Sequence, residues 1–210
     1  MPRFTPGGLD DAGWSTLLTG ALVPRPIAWI TTRSPSGVVN LAPFSFVTVA
    51  ATAPPTLAVS IAHRNPVKDT LRNLRDTGEA VVHLVPASLA AAANASSAPY
   101  PPDTSEPAAL GLDLGPMPPL AVPRLAAADI ALACRLERIL PIGAPSAHLV
   151  LLTVVAADIA GEVAGADGLP DAQRFRAWAR LGGSAWLAPD TWRLVHMPRP
   201  RSIDASSETS

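Results

Sequence analysis

Between Ile27 and Ala62 the apolar residues come in short runs that Gly and Pro interrupt, and the runs read as three strands. Ile27 to Thr32 is the first, rich in β-branched and aromatic residues. Val38 to about Val49 is the second and Thr56 to Ala62 the third, with Ser34-Pro35-Ser36-Gly37 and Pro54-Pro55 between them. The period then changes. Asn65-Pro66 followed by Val67, Leu71 and Leu74 predicts a helix from Pro66 to Thr77 with one apolar face. Gly78 is placed to end it. Glu79 to Val85 returns as a strand, and its near-continuous apolarity implies burial on both faces.

The remaining pattern is of the same kind. A short helix is expected around Trp14 to Gly20, and an Ala-rich one over Ser88 to Asn94. Ala98 to Asp103 and Pro116 to Pro123 read as one long surface excursion, because Pro lacks a donor and fixes φ. Ile130, Leu132, Cys134 and Leu136 alternate with Arg135 and Glu137 as a half-buried antiparallel strand, and Leu149 to Ile159 is another. Pro170 to Arg180 reads as helix, Arg180 to Trp186 as a turn, and Trp192 to Met197 as a last strand. Residues 199–210 read as a disordered tail, which leaves 1–198 as a single domain without internal repeats. Short strands parted by turns, with a few helices outside, predict a mainly β fold with peripheral helices: a closed antiparallel barrel.

Composition narrows this little but excludes much. In 210 residues, 48% hydrophobic and 16% charged is a globular balance, not a disordered one. A net charge of −1 with scattered Lys and Arg leaves no nucleic-acid footprint. The single cysteine, Cys134, excludes an internal disulfide and fits a reducing cytoplasm. Val38 to Ala62 is uncharged, but Pro43, Pro54 and Pro55 make it a poor membrane helix. A soluble cytoplasmic protein is expected.

Candidate chemistry gathers in the first third of the chain. Lys68 and Thr70 fall in the expected first turn of a helix, beside N–H groups without intrahelical partners, which makes an anion site suited to phosphate. The strands before it carry Thr31, Thr32, Ser45, Thr48 and Ser60, the amide of Asn40 and the ring of Phe44. By contrast, His63, His83, His148 and His196 have no ligand spacing and read as structural. No G-x-S-x-G elbow exists, and Gly182-Gly183 opens no dinucleotide fingerprint.

Taken together, PRPIAWITT at 24–32, NLAPFSF at 40–46, Pro54-Pro55 and KDTLRNLRDTGEAVVHL at 68–84 resemble the flavin reductase-like, FMN-binding split-barrel family. The likeness continues through Asn94-Ala-Ser-Ser-Ala-Pro, the strand around Cys134 and Arg180-Leu-Gly-Gly183. It implies a six-stranded antiparallel Greek-key split barrel, a homodimer, and FMN near the subunit interface. By position, Lys68 and Thr70, with Thr31 or Thr32, would hold the phosphate. Asn40, Leu41, Ala42, Phe44 and Ser45 would face the ribityl chain and ring. Two departures from the family pattern are His83, where Asn is common, and Trp186, where Tyr is usual. The expected activity is FMN-dependent transfer of electrons from NADH or NADPH to free flavin or another acceptor. A flavin electron carrier without a nicotinamide site, or a barrel for a pyridoxal phosphate or haem, remains open at this point.

Overall fold

The computed structural model of the chain describes residues 1–143 and 146–197. The tail expected over 199–210 lies outside them. Helix α1 (Asp11–Ala21) opens the described chain, its first turn closed by Asp10, whose carboxylate accepts the Gly13 N–H at 2.8 Å. The strands β1 (Arg25–Pro26), β2 (Ala28–Arg33), β3 (Val39–Phe44), β4 (Val47–Thr52) and β5 (Pro55–Ala62) follow, then α2 (Asp69–Thr77) and β6 (Glu79–Leu84). Two short helices, α3 (Ala90–Ala95) and α4 (Glu106–Ala109), lead to β7 (Leu114–Met117), β8 (Leu120–Leu125), β9 (Ile130–Ile142) and β10 (Ala147–Ile159). The two-residue strands β11 (Ala179–Arg180) and β12 (Trp186–Leu187) close the order.

Seven strands form the main sheet in the order β3-β2-β6-β9-β10-β5-β4, every neighbour antiparallel. Its two edge strands, β3 and β4, are consecutive in the chain, with only Ser45 and Phe46 between them. Three residue steps span at most about 11 Å. The sheet must therefore curl until its edges nearly meet, and they meet without pairing: a split barrel. The single strand expected over Val38 to Val49 is broken at this corner, which gives seven strands where six were expected.

The barrel interior holds Ile30, Phe44, Val59, Ile61, Val82, Val150 and Leu152, and α2 closes one end with Leu71 and Leu74. Gly78 ends α2 in the left-handed region at φ 70°, as the sequence predicts. Outside the barrel, α3 and the Trp178 and Trp186 segment cover Ile27, Trp29 and Leu41. The β7–β8 hairpin covers Val81, Ala131 and Ala133. Cys134 points into the interior, fully buried, and burial pushes its thiol up to about 12. It is a core residue.

Three expectations fail for identifiable reasons. Pro116 to Pro123 does form strand, because a two-stranded ribbon has open outer edges and a register shift beside Pro116 absorbs its missing donor. Residues 170–180 are not helical. Asp171 draws the chain into a local turn, its carboxylate accepting the Gln173 N–H at 2.7 Å, and Ala179–Arg180 then pair with β1. Trp192 to Met197 is not a strand, and Leu194, Val195 and Met197 stand exposed.

Candidate functional site

A trough of three adjoining clefts runs along the barrel's split edge. The near cleft, about 210 Å³, lies between α2 and the loop after α3, lined by Asn40, Ala42, Arg64, Lys68, Ser97, Tyr100 and Glu106 among others. It shares Pro43 and Ser97 with a middle cleft of about 240 Å³ that adds Ile27, Ser45, Asn94, Arg180 and Trp186. The middle cleft shares Ser45 and Arg180 with a far cleft lined by Ser15, Thr16, Thr19, Arg25, Phe46 and Gly183.

At the near end α2 starts three residues later than the sequence predicts. Lys68 is its N-cap, with extended ψ 134°, and its carbonyl accepts the N–H groups of Leu71 and Arg72 at 3.0 and 3.1 Å. A lysine has no acceptor with which to cap, so the N–H groups of Asp69 and Thr70 have no intrahelical partner. Asp69 pairs with Arg72 along the helix, whereas Lys68 and Arg64 make no ion pair among the described residues. This end of the trough sets two cations, Arg64 and Lys68, beside the Asp69 and Glu106 carboxylates and the open N–H donors of α2.

Behind it lies a buried polar knot. The Glu106 carboxylate, 5% exposed, accepts the Leu41 N–H at 2.8 Å, and burial raises its pKa. Hydrogen-bond chemistry turns the Asn40 amide nitrogen to Glu106 at 3.3 Å and its oxygen to the Thr70 hydroxyl at 2.9 Å. Asn73 donates to the Thr32 hydroxyl at 3.1 Å. The knot ties β2, β3, α2 and α4 together and fixes the cleft wall.

Of the nine residues picked from the sequence, Asn40, Ala42, Lys68 and Thr70 line the near cleft and Ser45 lines the middle and far ones. Four others line none of the three clefts. Thr31 donates to the Pro123 carbonyl at 2.7 Å on β8, Thr32 sits in the knot, and Leu41 and Phe44 bury their side chains in the core. Thr70 is 1% exposed, and its hydroxyl engages Asn40. His83 also lies away from the trough, wholly buried under the β7–β8 hairpin: its Nδ1–H donates to the Trp29 carbonyl at 2.8 Å and Nε2 accepts the Leu125 N–H at 3.1 Å.

Trp186, the other departure, does face the trough. Register explains how: Arg25 stands opposite Arg180, and Arg180 opposite Trp186, so the three side chains share one face of the small sheet. The Arg180 guanidinium lies 5.5 Å from the Trp186 ring centroid. Gly182 and Gly183 belong to the same device. A Cβ on Gly182 would sit 3.2 Å from the Gly20 Cα, and Gly183 takes φ +57°, so the loop can press on α1 and turn back. Ser96 anchors the opposite wall by accepting the Trp29 indole N–H at 2.9 Å. Glu106 and Arg64 escaped the sequence reading. The only local hint at Glu106 is its place just after Ser105, where an acidic residue suits the start of a helix.

The chain has clear relatives among known proteins. The model of the flavin reductase-like domain matches residues 20–179. An uncharacterised protein of Halalkalibacterium halodurans is 40% identical over 190 residues, which cover 88% of this chain and 90% of that protein. Nitrilotriacetate monooxygenase component B from Bacillus cereus superposes with TM-score 0.88 at 31% identity, covering 94% of this chain and 98% of that one. The 2-nitrobenzoate 2-nitroreductase NbaA of Pseudomonas fluorescens superposes with TM-score 0.87 at 28% identity, covering 98% of this chain and 100% of that one. With three-quarters of its length matched by the domain model, the chain belongs to the flavin reductase-like family.

Proposed function

We propose that this flavin-related oxidoreductase holds FMN along the trough and carries electrons from NADH or NADPH to free flavin or another acceptor. One observation carries the reading: an end holding Lys68, Arg64 and the open N–H donors of α2 continues into a groove of mixed apolar and polar lining. Lys68, Arg64 and the first N–H groups of α2 suit a phosphate dianion. Ala42, Pro43 and Trp186 offer apolar surface to a ring, with Ser45, Asn94 and Ser97 as polar partners at its rim. The residues fit the group. When bound there, FMN would supply the redox chemistry between a dihydronicotinamide and the acceptor.

The chain's own work is binding and orientation. Lys68 and Arg64 balance the phosphate charge, and the Glu106–Asn40 knot holds β3 at a set distance from α2. No side chain has to act as nucleophile: Cys134 is sealed in the barrel and His83 is tied at both nitrogens. Among the similar structures are a nitroreductase and a monooxygenase component, which supports free flavin or another acceptor as the destination of the electrons. Among the described residues, no helix is long and apolar enough to cross a membrane.

The test is anaerobic. Purified protein loaded with FMN should lose its visible flavin absorbance when NADH or NADPH is added, within seconds in stopped flow. Flavin that binds but stays oxidised with both nucleotides would make the protein an electron carrier without a nicotinamide site. A second expectation concerns assembly. Leu18, Leu22, Phe46 and Val49 are exposed close to the trough, with Val49 at 65%, and such a surface suits a two-fold homodimer. Light scattering should return about twice the 21.7 kDa of one chain, and the single-chain mass at micromolar concentration would refute the dimer.

A further inference from the structure

The far cleft has chemistry that one FMN does not use. Near and far clefts share no lining residue; each borders only the middle one. FMN carries a single phosphate, and the near end already supplies Lys68 and Arg64 for it. At the opposite end stand Arg25 and Arg180, directly opposed across the β1–β11 ladder. Like charges in that position destabilise a sheet. Burial, and then the charge of Arg180, lower the pKa of the Arg25 guanidinium. No carboxylate lines the middle or far cleft, and neither arginine forms an ion pair among the described residues.

Local structure accounts for only part of these groups. Arg25 donates through Nη1 to the Thr19 and Leu22 carbonyls and through Nη2 to Leu181 at 2.9 Å, which pins α1, yet its Nε is buried without a partner. Arg180 gives one bond, Nη2 to the Gly183 carbonyl at 2.6 Å, and its guanidinium carbon lies 5.5 Å from the Trp186 ring centroid. Arg180 keeps donors to give to a ligand of this cleft of about 330 Å³, and Arg25 adds a second positive charge beside it, a pairing that suits a polyanion better than one carboxylate.

We propose that the far cleft seats the diphosphate of the nicotinamide dinucleotide, held by Arg180 and supported by Arg25. Its dihydronicotinamide then reaches back toward the middle cleft. The proposal rests on the trough being the flavin site. Under it, Arg180 acts on affinity for the reductant through charge, and the register of β1, β11 and β12 sets its position. The Trp186 ring beside it adds a cation–π contact to the guanidinium.

The test compares two reductants on FMN-loaded protein: NADH, and 1-benzyl-1,4-dihydronicotinamide, which has the same reacting ring and no diphosphate. For Arg180→Ala, the ratio of the NADH KM to the benzyl-reductant KM should rise about 10- to 100-fold, as expected for loss of a charged hydrogen bond. Arg180→Lys should fall between the two proteins. Inorganic pyrophosphate should compete with NADH in the native protein and leave the benzyl reductant's KM unmoved, a measurement that needs no variant to fold. An unchanged KM ratio, or pyrophosphate that inhibits both reductants alike, would overturn the assignment. FMN affinity, read first by quenching of flavin fluorescence, separates the two levels. Native protein that binds FMN but fails these comparisons loses only the diphosphate site, whereas native protein that binds no FMN loses the flavin reading and the diphosphate site with it.

Discussion

Replacing His83 with alanine should lower the stability of the folded chain by about 3–5 kcal/mol, the largest effect expected of any substitution considered. The ring is wholly buried and bridges two backbone groups, the Trp29 carbonyl at 2.8 Å and the Leu125 N–H at 3.1 Å. Without it both groups stay buried and unpaired, at about 1–3 kcal/mol each, and a cavity adds to the loss. Urea denaturation at pH 7 measures this directly. A loss under about 1 kcal/mol would mean the hairpin relaxes to let water reach both groups. Because His83 stays outside the trough, a folded, FMN-loaded variant should keep flavin reduction within about tenfold of native.

The same residue sets a pH dependence. Burial lowers the His83 pKa from 6.5 to about 4, with the charge of Arg124 adding to the shift and the bond to Trp29 opposing it. Between those values the unfolded chain binds a proton that the folded chain refuses. Stability from this source is therefore complete above pH 6.5 and falls away as the pH drops toward 4, by about 3 kcal/mol in all. The alanine variant lacks this component, so its stability should change less steeply across the same window. Equal slopes in both proteins would remove His83 as their cause.

Replacing Lys68 with alanine should weaken FMN binding about 10- to 100-fold, the loss of one charge-assisted hydrogen bond worth about 1.5–3 kcal/mol. Lys68 is the N-cap of α2, half-buried at the mouth of the near cleft and unpaired with any described carboxylate. Its side chain makes no capping bond, so the helix itself should survive the change. Riboflavin provides the control because it lacks the phosphate. It should bind native and variant protein alike, and the salt dependence of FMN affinity should shrink in the variant. Equal losses for FMN and riboflavin would place Lys68 in the cleft wall rather than at the phosphate. No change for either would hand the anion to Arg64 and the α2 N–H groups alone.

Where local chemistry decides the outcome, the linear chain was readable. Ile27 to Thr32 and Thr56 to Ala62 carry β-branched residues between turn formers and are strands within a residue or two, and the alternating run through Cys134 is a strand that continues to Ile142. Leu71 and Leu74 set the buried face of α2, and Gly78 ends it because a left-handed residue is needed there. The motifs at 40–46, 68–84, 94–99 and 180–183 read as parts of one family likeness, and each contributes residues to the lining of the trough.

What the chain could not disclose depends on partners distant in sequence. Thr31 and Thr32 look equally available on paper, yet the alternation of a strand sends one hydroxyl to Pro123 and the other to Asn73. His83 reads as a neighbour of the site until β8, some 40 residues on, arrives to take its ring nitrogen. Phe175 and Trp178 stand three apart as helix neighbours should, but Trp178 turns to the Ala87 carbonyl and the segment stays extended. The break at Ser45 and Phe46 has no local signal, because it is set by the curl that brings two sheet edges to one corner. By itself the sequence determined most of the barrel strands, where α2 ends and which motifs travel together, since propensity, turn chemistry and apolar period act within a few residues. Tertiary structure alone decided which face of each strand meets the trough and which buried polar groups find one another. It also set two arginines against each other, because register and closure are properties of the whole sheet.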